Sequence, residues 1–445
     1  MGLSGLGIYK LLPKTNCRKC GFPTCLAFAM QLAKKAVGLD KCPQISAEAK
    51  ASLEASSQPA IRLISIGQGE RELKVGNENV MFRHEEKFFH PAGIGVILED
   101  SLEDEEALRY VSQLEKLKFE RIGQEIRLDI VALRHSKRDA AGFAALAEKV
   151  VGATGLALVL RSFRPEAIKA ALDVDVVSAR RPLIYAADKD NYEQMAAIAQ
   201  ERSLPLAVKA DGLEALAELS EKVAGLGVQE IVLDSGAGSL PEKIWQLTQI
   251  RRLALKKKFR PFGFPAMAVS DDSDSSRQVI EAAAYILKYA GIVLLNCSAA
   301  HQILPLLTLR QNIYSDPQKP LQVEAKAYAV GAADENSPVL VTTNFSLTYY
   351  TVLGEVEASK VAAWLVSVDT EGMSVLTAWA AEKFTPEKIA TSLEKFGIAD
   401  KVRHKNIIIP GYVAVLSGDL EEKSQYKVIV GPREAAGITG FLRNL

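Results

Sequence analysis

The chain has no excess of either charge: 54 Lys and Arg balance 54 Asp and Glu over 445 residues. That excludes a basic field for nucleic acid and a solvating acidic tail, so no nucleic-acid partner is expected. Long apolar runs are missing too. The longest, such as 291–297, have the length of a strand, and no membrane-spanning helix or membrane partner is expected. Position 6 is Leu rather than Ser or Thr, and no charged-then-apolar leader follows Met1. Neither myristoylation nor secretion is expected, and the cytoplasm is the expected compartment. Histidine and cysteine are scarce, at five each. What remains, with 48% hydrophobic residues, describes a soluble chain with core enough for two or three domains.

Four of the five cysteines nevertheless fall within 26 positions. The stretch reads Thr15-Asn16-Cys17-Arg18-Lys19-Cys20-Gly21-Phe22-Pro23-Thr24-Cys25, followed by Cys42-Pro43. Packing gives no reason for this spacing. Four thiolates on one turn and a returning segment make a tetrahedral soft-ligand cage, suited to an iron–sulfur cluster or to zinc. A disulfide pair fits poorly, because only one other cysteine exists and no signal peptide marks an oxidising compartment. Structural zinc usually joins two facing C-x2-C knuckles, and the second is missing. Three crowded ligands and one distant fourth favour an iron–sulfur cluster, in the 4Fe–4S rather than the 2Fe–2S form. Helices are expected over 26–37 and, capped by Ser46, over 46–56. Residues 1–57 carry too little core to fold alone, so the metal is expected to hold this module together. Ser56-Ser57-Gln58-Pro59 reads as its hinge.

From residue 58 to 315 short apolar runs alternate with helical periodicity. Strands are predicted at 94–98, 126–132, 156–160, 182–186, 205–209, 230–233, 264–269 and 292–296, with a hairpin of 61–66 and 79–82 at the entrance. Helices are predicted at 103–116, 143–151, 192–200, 212–223, 242–254 and 276–289. Eight strand–helix units over this length give a (β/α)8 barrel, with an open doubly wound sheet as the alternative. Polar residues gather at the strand ends: Glu99-Asp100, His135, Arg161, Asp188, Lys209, Asp234, Asp271-Asp272 and Asn296. That face of a barrel commonly carries chemistry, although strand-to-helix loops also need Asp and Ser as caps. The run from Asp271 to Ser276 reads as a capped, solvated loop. Asp234-Ser235-Gly236-Ala237-Gly238 could cradle an anion on backbone amides. Cys297 reads as a small core residue.

Ser315-Asp316-Pro317-Gln318-Lys319-Pro320 marks a second boundary. Residues 321–445 then show strands at 338–342, 362–368, 407–410 and 427–430, with helices at 375–383 and 386–396. Small-residue loops follow the strand ends: Thr370-Glu371-Gly372-Met373-Ser374, Gly411 after Pro410, and Gly431-Pro432 up to Ala435. Thr343, Asn344 and Thr348 lie in a hydroxyl- and amide-rich stretch after the first strand. In an open α/β sheet such loops line the ligand crevice, and turn chemistry alone explains the same residues. No G-x-G-x-x-G follows the first strand, which argues against an ordinary dinucleotide site. A ligand with a phosphate and a large flat body suits the segment.

The whole chain resembles the large (gamma) subunit family of the corrinoid iron–sulfur protein, the methyl carrier of acetogenic and related anaerobes. Cys17, Cys20, Cys25 and Cys42 are the specific part of the likeness, with the barrel and the loops around Thr370–Ser374 and Gly431–Arg433 following. The resemblance implies three parts: a 4Fe–4S module, a TIM barrel, and a Rossmann-like corrinoid-binding domain. It also implies a corrinoid bound base-off with no protein ligand below cobalt. The absence of D-x-H-x-x-G agrees, and His404 in Lys401-Val402-Arg403-His404 lacks both the Asp and the Gly of that motif. With no donor nitrogen beneath it, oxidised cobalt is less stabilised and Co(I) easier to reach.

The implied activity belongs to the methyltransferase class, exercised with partner enzymes. Co(I) would accept a methyl group from methyltetrahydrofolate on a separate methyltransferase and pass it to acetyl-CoA synthase of the carbon monoxide dehydrogenase complex. The cluster would restore Co(I) from Co(II) with electrons from a low-potential donor. The implied structural partner is the small subunit, as a heterodimer, and the barrel serves as its docking surface without catalytic residues. Corrinoid contacts are assigned by loop position to Thr343, Asn344, Thr348, Thr370, Glu371, Gly372, Met373, Ser374, Gly411, Gly431, Pro432 and Ala435. Two alternatives stand beside this reading: an iron–sulfur electron-transfer or scaffold subunit without corrinoid, and a folate-dependent methyltransferase using the barrel mouth.

Overall fold

The structure is a computed structural model describing residues 5–445 apart from 34–36, 47–48, 50–52, 54–58, 123, 237 and 317–318. Most of the expected 46–56 helix and of the first hinge lies outside the described residues, as do Ala237 and two residues of the second boundary, while the Ser46 hydroxyl accepts from the Ala49 amide at 3.1 Å. Contacts divide the chain into two units. One comprises 1–81, 89–117 and 128–310; the other comprises 82–88, 118–127 and 311–445.

The first unit is built on a closed parallel barrel. Its strands are β1 (Gly93–Glu99), β2 (Ile130–Arg134), β3 (Ala157–Arg161), β4 (Leu183–Ala187), β5 (Leu206–Lys209), β6 (Ile231–Asp234), β7 (Ala266–Ser270) and β8 (Ala290–Leu295). Each pairs with its sequence neighbours, and β8 closes on β1. Strands of this kind are buried on both faces, which explains their unbroken apolar runs. Ile97, Ile130, Val159, Tyr185, Val232 and Leu294 fill the interior. Helices pack between the strands, among them Asp104–Glu115, Ala140–Ala153, Tyr192–Arg202, Leu213–Gly225, Leu240–Lys257 and Ser275–Leu287.

Several elements differ from expectation. The entrance hairpin pairs Ile64–Ile66 with Leu73–Val75, not with 79–82. The expected strand 126–132 is two strands: Gln124–Arg127 pairs with Lys118–Arg121 in a separate hairpin, and β2 begins at Ile130. Asp129 separates them, its carboxylate accepting from the Ile94 amide and its carbonyl from Ala157. Between β3 and β4 the chain forms helices Pro165–Leu172 and Asp175–Ala179, and after β8 the helix Ala300–Ile313.

The second unit holds a five-stranded sheet: β9 (Ala327–Val330), β10 (Val339–Thr343), β11 (Ala363–Val368), β12 (Asn406–Ile409) and β13 (Lys427–Val430), in the order β9-β11-β10-β12-β13. Only β9 runs antiparallel. Alternation along each strand divides the core into two layers. Val339, Val341, Ile407 and Ile409 pack under Pro386–Lys395 and Ser417–Ser424. Leu340, Leu365 and Ile408 face Ser346–Ser359 and Ile438–Arg443 on the other side. Helices thus cover both faces of an open sheet whose strand order reverses between β10 and β12, where ligands commonly sit.

Candidate functional site

The cysteine module is organised by a short helix and an irregular loop. Thr24 accepts from the Ala27 amide at 3.1 Å and starts the helix Cys25–Ala33, whose Phe28 and Ala29 are buried. Cys25 and Cys42 lie in the apolar cluster with Ile8, Leu12 and Phe28, and Cys20 packs against it. Cys17 is half-buried. The loop takes left-handed backbone at Lys14, Asn16, Arg18 and Gly21, with φ of 57, 49, 61 and 87°. Such repeated turns gather amide N–H groups into an anion-binding concavity. Asn16 brackets Cys25: its side-chain oxygen accepts from the Cys25 amide at 2.8 Å, and its own amide donates to Cys25 Sγ at 3.4 Å. The Lys19 amide and the Thr15 hydroxyl hold the Cys17 thiol below its ordinary value.

Among the described residues no three Cys, His, Asp or Glu side chains are drawn close enough to hold a metal ion. The module thus gathers Cys20, Cys25 and Cys42 around one cluster without closing the sulfurs into a cage. The donor set fits an iron–sulfur cluster nonetheless: thiols, amides aimed at sulfur, and Lys14, Arg18 and Lys19 to offset negative charge.

A cleft opens at the carboxyl ends of β10, β12 and β13, enclosing about 640 Å³ that includes space open to solvent. Of the assigned contacts Thr348, Gly431, Pro432 and Ala435 line it, together with Thr342, Tyr412 and Arg433, whereas Thr343, Asn344, Gly411 and residues 370–374 do not. Tyr412 and Arg433 are next neighbours of expected residues, and an aromatic directly after Pro-Gly was the available signal. Gly411 pins two loops together. Its amide donates to Pro432 O at 3.0 Å, and a Cβ there would stand 2.5 Å from Gly431 O.

Asn344 acts as a brace inside this unit. Its side-chain oxygen accepts from the Thr370 amide (2.9 Å), the Thr370 hydroxyl (3.0 Å) and the Gly372 amide (3.1 Å), while its NH2 donates to Gln322 and Asp369. The turn it holds puts Glu371 and Gly372 at φ of 57 and 75°. Glu371 is exposed and paired with Lys383, which lowers its carboxyl from the ordinary range. Met373 packs on the core, and the Ser374 hydroxyl meets Thr377 at 3.0 Å.

The cleft is mostly apolar. Its walls include Val352, Ile408 and Phe441. The Thr342 and Thr343 hydroxyls are buried and unpartnered, as are those of Ser346 and Ser367, and buried hydroxyls without partners call for an acceptor or donor from elsewhere. His404 lies before β12, at the end of the strand remote from the cleft. Its Nε2 is 3.0 Å from Ser337 O and its Nδ1 accepts from the Asn406 amide.

At the barrel mouth several expected residues are loop braces. Asp100 accepts from the Ser136, Lys137 and Arg138 amides and the Ser136 hydroxyl. Asp188 accepts from the Asp190 and Asn191 amides, and Asp274 accepts from Ser276 at the start of its helix. His135 sits between the Ser162 hydroxyl and Arg138 O at 2.9 and 2.7 Å. Asp234 is fully buried against Lys243 Nζ at 2.6 Å and the Tyr185 hydroxyl at 2.8 Å. Burial pushes its carboxyl upward, but Lys243, the Gly236 amide and Lys209 hold it at about 2. Cys297 is buried, and that burial pushes its thiol up.

Residues 63–442 match the family described as "CO dehydrogenase/acetyl-CoA synthase delta subunit", and residues 12–44 match the family described as "Putative Fe-S cluster". The "Corrinoid/iron-sulfur protein large subunit" of Moorella thermoacetica is 48% identical over 100% of this chain and 99% of its own length. The "Acetyl-CoA decarbonylase/synthase complex subunit gamma" of Methanothermobacter thermautotrophicus is 39% identical over 100% of the chain and 99% of its own length. A solved 7,8-dihydropteroate synthase from Vibrio fischeri covers 56% of this chain and 97% of its own, with TM-score 0.37 at 12% identity, a likeness too slight to carry an argument. The delta-subunit model starts after the cysteine motif, whereas the large- and gamma-subunit relatives span it.

Proposed function

This chain belongs to the family of corrinoid/iron–sulfur protein large subunits and acetyl-CoA decarbonylase/synthase gamma subunits, and we propose that it is the methyl-carrying, corrinoid-binding subunit of that system. When bound, the corrinoid supplies a cobalt centre that accepts and donates a methyl group, and the 4Fe–4S cluster supplies the electron that restores its reduced state. The observation that carries the reading is the co-occurrence, in one chain, of the four-cysteine module and the cleft at the strand-order reversal, which Thr342 lines with its hydroxyl unpartnered.

Cys17, Cys20, Cys25 and Cys42 hold the cluster. Asn16 fixes Cys25 and directs an N–H at its sulfur, which favours the more negative, reduced cluster. The second unit is a Rossmann-like corrinoid domain. Thr348, Gly431, Pro432 and Ala435, which line the cleft, would hold the corrinoid, and Thr342 and Thr343 would offer hydroxyls at the carboxyl end of β10. Asn344, through Thr370 and Gly372, holds the 369–374 loop that leads to the cleft-lining Val375, with Glu371, Met373 and Ser374 shaping that loop. Gly411 keeps the cleft's far wall closed. His404 would not ligate cobalt, because its two nitrogens are engaged with backbone away from the cleft.

The partners are the small subunit as a heterodimer, a methyltetrahydrofolate:corrinoid methyltransferase, the carbon monoxide dehydrogenase/acetyl-CoA synthase and a low-potential electron donor. No helix among the described residues is long and apolar enough to cross a membrane. Metal analysis of the anaerobically purified heterodimer tests the proposal. About one cobalt and about four iron per chain are expected. Iron without cobalt after incubation with free corrinoid would make the chain an electron-transfer subunit instead.

A further inference from the structure

The barrel mouth holds polar chemistry that neither the cluster nor the corrinoid uses. Register defines which side chains face inward. Glu99 pairs with Arg134, Arg134 with Arg161, and Arg161 with Tyr185, across β1 to β4. Tyr185 belongs to the interior core, so this row points into the barrel. On β5 and β6 Lys209 pairs with Asp234, two residues beyond the interior pair Ala207 and Val232. Asp271 follows the core-packed Val269 of β7 by the same step of two. A charged layer therefore caps the apolar interior at its carboxyl end, the face where barrel ligands bind.

The layer is not self-satisfied. Arg134 is bonded to Glu99 at 2.9 Å and Asp271 at 3.1 Å. Asp234 is saturated by Tyr185, Lys243 and the Gly236 amide. Arg161 differs. It is only 9% exposed, stacks 5.1 Å from the Tyr185 ring, and reaches Asp271 no closer than 3.9 Å from Nη2. Its Nη1 is buried without any hydrogen-bond partner. Lys209 makes no ion pair among the described residues and leans on the Phe163 ring at 5.4 Å. It also borders a neighbouring cleft whose walls carry Asp188, Asp211 and Lys222. The Ser235 hydroxyl, next in the chain to Asp234, is likewise buried and unpartnered.

Leaving a buried guanidinium N–H unpaired is costly, and the planar fork of Arg matches carboxylate and phosphate oxygens. Of the cations in this layer, Arg134 and Lys243 are paired with carboxylates, whereas Arg161 keeps a buried N–H without a partner and Lys209 makes no ion pair among the described residues. We propose that the barrel mouth binds a small oxyanion, a carboxylate or a phosphate, which accepts from Arg161 Nη1 and is held electrostatically by Lys209. The proposal does not depend on the corrinoid reading.

Isothermal titration calorimetry on the intact heterodimer, at constant ionic strength in chloride buffer, tests it with inorganic phosphate and with succinate as separate probes. At least one probe is expected to saturate, and preference between the two distinguishes a phosphate from a carboxylate ligand. Arg161→Gln should weaken that binding at least tenfold, and Arg161→Lys less. Should Arg161→Gln fail to fold, the half-buried Lys209→Met is expected to weaken binding several-fold, while Arg202→Gln, in an ion pair with Asp173 away from the mouth, leaves it unchanged. Absence of saturable binding by both probes, or an affinity unaltered by the Arg161 and Lys209 changes, overturns the proposal.

Discussion

Asn16 and Cys25 bind each other twice, the Asn16 side chain accepting from the Cys25 amide at 2.8 Å and the Asn16 amide donating to Cys25 Sγ at 3.4 Å. The second contact is a tuning device for a cluster on that sulfur, and the first holds it in place. Asn16→Ala removes the brace, so the N–H to sulfur bond should loosen and the cluster's midpoint potential fall. A bond worth about 0.5–1.5 kcal/mol corresponds to roughly 20–60 mV for one electron. Redox titration followed by electron paramagnetic resonance measures it. An unchanged or raised potential with full iron content contradicts the assignment.

Asn344 supports three donors of the 369–374 loop. Asn344→Ala leaves the buried Thr370 and Gly372 amides without partners, at about 1–3 kcal/mol each. Corrinoid retention after gel filtration should drop, while iron content stays at the wild-type level. Equal loss of both cofactors would indicate general unfolding.

At Gly411 the limit is space, because an added Cβ would meet Gly431 O at 2.5 Å and Arg433 N at 2.8 Å. Gly411→Ala should force the two loops apart, at about 1–3 kcal/mol of overpacking. Free-corrinoid binding, followed by fluorescence quenching of the apoprotein, is expected to weaken. Unaltered binding would remove this wall from the site.

Much of the architecture was legible because parallel strands buried on both faces leave continuous apolar runs, as in 156–160 and 182–186. The runs fail as a guide where two strands abut: Ile126 and Ile130 read as one strand, yet one pairing ends at Arg127 and another begins at Ile130. The helix Ala300–Ile313 carries Pro305 inside it, which hid its buried stripe of Ile303, Leu306 and Leu307. At the site, Gly431 and Pro432 could be placed on the cleft from loop position. Asn344 could not be told from a ligand contact, since a residue that braces a loop and one that touches a ligand share the same chemistry and spacing.

Acid should weaken the fold in a defined window. Asp234 and Glu115 titrate at about 2 in the folded chain, against about 4 when unfolded. Burial pushes both upward, but Lys243 overcomes it for Asp234, and Arg71 with Thr154 for Glu115. Between those values the unfolded chain binds more protons, so their stabilisation is complete above about pH 5 and lost as pH falls from about 4 towards 2. Lys243→Met leaves Asp234 buried without its ion-pair partner, costing about 3–5 kcal/mol at neutral pH. Its deficit should shrink on acidification, the opposite sign to wild type, and urea unfolding across pH 3–7 measures both slopes.

The most direct test is the ultraviolet–visible spectrum of the anaerobic heterodimer during stepwise reduction. A sharp Co(I) band near the ultraviolet edge, growing as broad iron–sulfur absorption bleaches, is the expected result. Iron–sulfur absorption with no corrinoid band after reconstitution, or a colourless protein containing zinc, would contradict the account.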